Sequence, residues 1–176
     1  MRRKKKERLA HETFWAVFAA VNLGINSIEV PRHVNQVRCR YYGANDDDLE
    51  RMVKQVKSIN QLDLDETDIT DEGMKHLIEL DYLREIRLKG CRKITDIGME
   101  YICQFKGLEL LHLYGTAVTI NGFDRIGELK HLNKLLVEAD GKDPKLEEIF
   151  ALLPKDCELI VNYKQNPPND NAQKTR

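Results

Sequence analysis

A chain of 176 residues that is 41% hydrophobic and 32% charged has room for one domain with a real core, which excludes a wholly disordered polypeptide. The net charge of −1 is unevenly spread: Arg2, Arg3, Lys4, Lys5, Lys6 and Arg8 against Glu7 give the first eight residues +5, so the rest of the chain carries −6. A mildly acidic body excludes a nucleic-acid binder that works through a broad basic surface.

The basic segment, 1–12, reads as a solvated terminus able to meet an acidic partner or an anionic membrane. It leads into Phe14–Ile25, an apolar run too short for the roughly 20 residues that span a bilayer. Basic residues before an apolar run imitate a signal peptide. Glu7, His11, Glu12 and Asn22 interrupt that pattern, however, and no small-residue cleavage site follows. No transit peptide is evident. The expected structure is a helical cap over 13–33, with Phe14, Val17, Phe18 and Val21 as its buried stripe and Trp15 packing beside it. A second helix is expected near Asp46–Lys57, burying Leu49, Met52, Val53 and Val56. Asp46, Asp47 and Asp48 would make its acidic first turn, which explains them better than cation binding does.

From residue 34 the chain repeats itself. The pattern apolar-x-x-apolar-x-apolar occurs at Ile59, Leu62, Leu64; Leu83, Ile86, Leu88; Leu108, Leu111, Leu113; and Leu132, Leu135, Val137. Weaker copies stand at Val34, Val37, Cys39 and at Leu159, Val161. The strand marker falls at 37, 62, 86, 111, 135 and 159, a step of 24 or 25 residues. That regularity identifies a leucine-rich repeat array over 34–163, an α/β solenoid of about six parallel strands with helices on the convex side. ITDEGM (69–74) and ITDIGM (94–99) should cap each following helix, their Thr-Asp oxygens serving free amides. The helices would bury Met74, Leu77, Ile78 and Met99, Ile102, Cys103. VTINGF has Ile120 where the others have Asp and should cap more loosely. EEIFALLP supplies a last helix and ELIVNY a last strand, and 164–176 reads as a disordered tail.

Chemistry-bearing patterns are scarce. Cys39, Cys91, Cys103 and Cys157 lie far apart without a CxxC, so reduced, buried thiols are expected rather than zinc or disulfides. The five histidines fall on separate elements; His112 alone is expected in the exposed middle of a strand. No phosphate loop, nucleophile elbow or metalloprotease motif occurs, so a non-enzyme without cofactor is expected. The concave sheet is more informative. Its outward positions read Arg38, Asp63, Arg87, His112, Leu136, Ile160, and one row over Arg40, Asp65, Lys89, Tyr114, Glu138, Asn162. Parallel strands about 4.8 Å apart would align Arg38–Asp63–Arg87 and Arg40–Asp65–Lys89 as charge ladders. These are either a self-satisfied surface network or a docking surface whose charges set register. Repeat proteins usually bind on the concave side, which favours the second.

Several short motifs carry a family resemblance. Phe14-Trp15 opens the first helix, Arg40-Tyr41-Tyr42-Gly43 follows the first strand, and Asp65, Thr67 and Asp68 follow the second. Glu85-Ile86-Arg87-Leu88 comes with Cys91, and Leu153-Pro154 precedes Cys157-Glu158-Leu159. In order and spacing, over about 13–163, they resemble mitochondrial ATP synthase subunit s (coupling factor B) and the related distal membrane arm assembly protein of respiratory complex I. The repeat itself resembles the cysteine-containing subclass common in F-box adaptors. The narrower resemblance implies a non-catalytic protein on the matrix side of the inner mitochondrial membrane, whose partners are ATP synthase or complex I subunits. Carried over by position, its interaction residues are Trp15, Arg40, Tyr41, Asp65, Arg87 and Cys91. One branch has a Cys-x-Cys dithiol after the third strand; here those positions are Lys89 and Cys91, so only the second thiol is present.

The expectation is thus an interaction scaffold, an accessory or assembly factor of a mitochondrial inner-membrane complex. It would dock through Arg38, Arg40, Tyr41, Asp63, Asp65, Arg87, Lys89, Cys91, His112, Tyr114 and Trp15, with peripheral contact to anionic membrane. The alternatives are a ubiquitin-ligase substrate adaptor, for which the residues before the first strand are too few to form an F-box, and a bacterial repeat protein of the periplasm or cell surface, which would need the N-terminus to be a signal.

Overall fold

Each apolar triplet of the repeat is centred on a strand, and its large side chains lie in one continuous core. The computed structural model describes residues 2–40, 43–162 and 164–165. Strands β1 (His33–Arg38), β2 (Ser58–Asp63), β3 (Tyr82–Arg87), β4 (Leu110–His112), β5 (Lys134–Val137) and β6 (Glu158–Val161) pair in chain order, each parallel to the next. Helix α1 (Arg2–Leu23) precedes the first strand. Helices α2 (Asp46–Gln55), α3 (Asp71–Leu77), α4 (Asp96–Ile102) and α5 (Lys145–Leu152) form the other layer of the solenoid. The four full triplets are buried throughout, as are Val34, Val37 and Cys39 at one end and Leu159 and Val161 at the other. Leu49, Met52, Val53 and Val56 are buried beneath the first repeat as expected. Asn45 and Asp48 close α2 with a reciprocal capping box.

Consecutive repeats are joined by one recurring polar device. Asp46 accepts hydrogen bonds from the backbone N–H and hydroxyl of Thr70, at 2.9 and 2.7 Å. Asp71 does the same for Thr95 (2.9 and 2.6 Å), and Asp96 for Thr119 (2.7 Å each). Each threonine Oγ1 in turn accepts from an amide two residues on, that of Glu72, Ile97 or Asn121. A carboxylate of one repeat therefore sits at the N-terminus of the next helix, where the peptide dipoles favour negative charge. The aspartates are not the local caps expected from sequence; threonine caps and aspartate bridges. Glycine makes the bridge possible, because a Cβ at Gly73, Gly98 or Gly122 would stand 2.5, 2.6 or 2.6 Å from the bridging Oδ1. Ile120 ends the series. The segment there forms 3-10 turns at Ile120–Phe123 and Ile126–Glu128 in place of an α-helix, although Thr119 still caps.

The structure differs from expectation in four further places. Helix α1 is continuous, so the basic segment is its first part and not a separate terminus. Its buried side is Phe14, Trp15, Phe18 and Ala19, while Val17 and Val21 face out. The aromatic rings choose the face, since Trp15 makes edge contacts with Phe14 and Phe18 at 4.9 and 5.3 Å between centroids. Asn22 Oδ1 accepts from the Arg38 amide at 2.6 Å and ties α1 to the edge strand. Ile78 is exposed, and Leu80 enters the core instead, because α3 stops at Leu77. At the far end Lys164–Gln165, read as the start of a tail, form β7 antiparallel to β6. Residues 166–176 lie outside the described residues.

Two substitutions test the bridge. Gly98→Ala should destabilise the domain by about 1–3 kcal/mol through crowding, and Asp71→Ala by a similar amount through the unpaired Thr95 groups. Combined, they should cost clearly less than their sum, since the methyl then occupies the space the carboxylate left. Urea midpoints of the four proteins measure this; strict additivity would contradict the assignment.

Candidate functional site

The concave face is built by the outward positions of the strands, and the register fixes their order. Arg38, Asp63, Arg87, His112, Leu136 and Ile160 are successive partners across the sheet. Gln36, Gln61, Glu85, Leu110, Lys134 and Glu158 form a parallel row, absent from the sequence expectations although the same two-residue alternation points to it. Arg40, Asp65, Lys89, Tyr114, Glu138 and Asn162 stand two residues beyond the first row, where the chain turns away. That turn needs a left-handed residue, taken by Glu66, Gly90 and Gly115 at equivalent points with φ of 59°, 76° and 70°.

The two expected ladders are present as rows of charge, but their side chains are engaged differently. Asp63 Oδ1 accepts from the Asp65 amide (3.0 Å), and Asp65 Oδ1 accepts from the Lys89 amide (2.9 Å). Short aspartates reach the turn backbone more easily than a guanidinium on the next strand. Arg38 donates to Gln36, Arg87 lies 3.9 Å from Glu85, and Arg40 lies 3.7 Å from Glu66. Glu85 is shared further, taking Gln61 Nε2 at 3.2 Å and Arg84 at 3.6 Å. Asp63, the register partner of both Arg38 and Arg87, thus turns one carboxylate oxygen to the backbone. Both arginines keep exposed side chains.

At His112 the face changes character. The row continues as Leu136 and Ile160, with Leu110 beside them, all half-buried. His112 itself is buried, at 8% exposure, between Arg87 and Leu136 in register, which corrects the expectation of an exposed histidine. Its Nε2 has no hydrogen-bond partner among the described residues. Burial pushes the imidazole below its ordinary value of 6.5, against the pull of Asp65. Burial also pushes the Asp65 carboxyl up, against the Lys89 amide.

The remaining candidates separate cleanly. Trp15, at 1% exposure, packs inside the cap and offers no surface to a partner. Cys91 is fully buried; its Sγ donates to the Leu64 carbonyl at 3.0 Å beside Thr67 Oγ1 at 3.6 Å. Desolvation raises that thiol, which favours the neutral S–H that donates to the Leu64 carbonyl alongside the Thr67 amide and hydroxyl. Cys103 and Cys157 are pushed up to about 11 by burial. Tyr114 is half-buried on the face, and Tyr41 lies outside the described residues. Among the described residues no group of three or more His, Cys, Asp or Glu side chains is arranged to hold a metal ion.

The Leucine Rich repeat family matches residues 57–78 and 79–103, the two repeats that contain β2 with α3 and β3 with α4. The chain therefore carries two leucine-rich repeats recognisable as such, within an α/β solenoid of six parallel strands, an architecture that suggests a protein-interaction module. No curated protein matches the chain.

His112 gives the face a pH dependence of definite sign. Its folded-state pKa is depressed, so its contribution to stability is present above the unfolded value of 6.5 and is lost as pH falls through the folded value. Asp65 runs the other way: its contribution is greatest below 3.8 and is lost as pH rises through the raised value. The histidine's ordinary value lies between neutrality and about pH 5 and the carboxylate's lies below that window, so the histidine is the group expected to set the slope there. The urea midpoint should drop over that range in the native protein and drop less in His112→Leu; equal slopes would show that His112 is not the group responsible.

Proposed function

We propose that this protein is a non-catalytic scaffold that docks a protein partner on its concave face, as an accessory or assembly factor of a mitochondrial inner-membrane complex. The observation that carries the docking surface is the pairing of two unlike halves. On one side Arg38 and Arg87 are exposed while Asp63 and Asp65 bond to backbone. On the other, Leu110, Leu136 and Ile160 are only half-covered. A matching partner segment presents carboxylates toward β1–β3 and an apolar side chain toward β4–β6. Charge would set orientation and approach, and apolar burial would supply affinity.

The cellular assignment rests on the resemblance of the Arg40-Tyr41-Tyr42-Gly43, Glu85-Ile86-Arg87-Leu88 and Leu153-Pro154 motifs to ATP synthase subunit s and the complex I assembly protein. On this reading the protein works on the matrix side of the inner membrane, with subunits of one of those complexes as partner. The lone Cys91, engaged with the Leu64 carbonyl, supports a structural role in either branch.

Arg38→Glu and Arg87→Glu should each lower recovery of the partner at least about tenfold while leaving the unfolding midpoint within about 0.5 kcal/mol of the parent. The measurement is co-isolation of the tagged protein in mild detergent from its own cells, quantified by mass spectrometry. ATP synthase or complex I membrane-arm subunits would fit the proposal. Undiminished recovery with both variants would remove the concave face as the docking surface, and a ubiquitin-ligase scaffold in their place would replace the assignment.

A further inference from the structure

The outer side of α1 is apolar where the lid of a repeat array is ordinarily polar. Leu9, Ala16 and Ala20 lie along one helical row, with Thr13 as the polar residue between Leu9 and Ala16, and Val17 and Val21 lie along the next, all exposed; Leu9 is 63% exposed and each valine 38%. Glu12 is the one acidic residue between positions 8 and 23, and it is paired with Arg8 at 3.3 Å. An open groove of about 490 Å³ between α1 and α2, lined by Leu9, Phe14, Val17 and Arg51 among others, continues the apolar strip. Residues 8–11 are all exposed, and the helix continues from this turn back to Arg2.

We infer that α1 is a surface-docking element for an anionic lipid bilayer, lying along the interface with its Leu9–Val21 side against the acyl boundary. Three observations select this occupant. The basic run belongs to the same unbroken helix as the apolar strip, so six positive residues and one negative precede that strip on one element. The rest of the chain carries −6, which turns the body away from an anionic surface while its helix is drawn to it. No described helix is long and apolar enough to cross a membrane, so the strip suits lying on a bilayer. Phe14 and Trp15, which might have been taken for the membrane anchors, are turned into the core. Only Leu, Val and Ala remain for insertion, so binding requires the charge and the apolar strip together and is reversible and salt-sensitive. This inference uses the end of the solenoid, not the concave face, and stands whichever partner that face takes.

The experiment is co-sedimentation of the full chain with vesicles of phosphatidylcholine alone, and of phosphatidylcholine with phosphatidylglycerol, at low and high salt. Binding is expected on the anionic vesicles and should weaken at least about tenfold on the neutral ones or at high salt. It should fall by a similar factor in Lys4→Glu/Lys5→Glu/Lys6→Glu, and also in Leu9→Ser/Val17→Ser, with thermal midpoints of both variants close to the parent. Absence of vesicle binding, or equal binding to both lipid compositions, would overturn the inference. So would a dimer in sedimentation velocity that Leu9→Ser/Val17→Ser dissolves, since the strip would then be covered by a second copy.

Discussion

The carboxylate that one repeat places on the threonine of the next is the constraint on which the architecture depends. A short strand and a two-turn helix cannot bury their apolar sides alone, so the fold exists only if successive units stack in a fixed register. Asp46, Asp71 and Asp96 provide that register on the helical side by bonding Thr70, Thr95 and Thr119. Parallel pairing from Val34↔Ile59 to Leu135↔Leu159 provides it on the strand side. The glycine third in line after each threonine leaves room for the carboxylate, so Thr-Asp-x-Gly is one device and not a run of loop residues. Where Ile120 replaces aspartate, the helix tightens into 3-10 turns and the array changes character.

With the stacking fixed, the concave face follows from the alternation of strand side chains, and its chemistry from what the turn takes up. Asp63 and Asp65 satisfy amides where the chain leaves the sheet. The arginines on neighbouring strands are left with weaker local contacts and an exposed charge. Beyond His112 the same row turns apolar, so one continuous surface offers orientation at one end and burial at the other. The helical lid adds a separate surface at the edge of β1, held in place by Asn22 and the Phe14–Trp15–Phe18 cluster.

The strands were legible because the triplets recur at a nearly constant step and each residue in them has one role, burial. Helix α1 was legible as a helix, but not its face. Apolar residues occupy every side of it between Phe14 and Val21, so periodicity cannot choose, and aromatic packing against β1 decides. The aspartate bridges were hidden for a different reason: Thr-Asp before a helix looks like an ordinary cap, and only the recurring glycine signals that something crosses from the previous repeat. His112 was misplaced because alternation gives the side of the sheet but not how far its neighbours crowd over it. The repeat match, confined to 57–103, covers the two units that carry the full triplet together with the complete Thr-Asp-x-Gly sequence.

Lysine labelling of the protein alone and with its co-isolated partner tests the central claim most directly, that the concave sheet is where a partner docks. Lys89 and Lys134 lie on that face, and Lys54 and Lys75 on α2 and α3. The account predicts protection of Lys89 and Lys134 on complex formation with Lys54 and Lys75 unchanged. Protection of Lys54 and Lys75 with the concave lysines still reactive would contradict it.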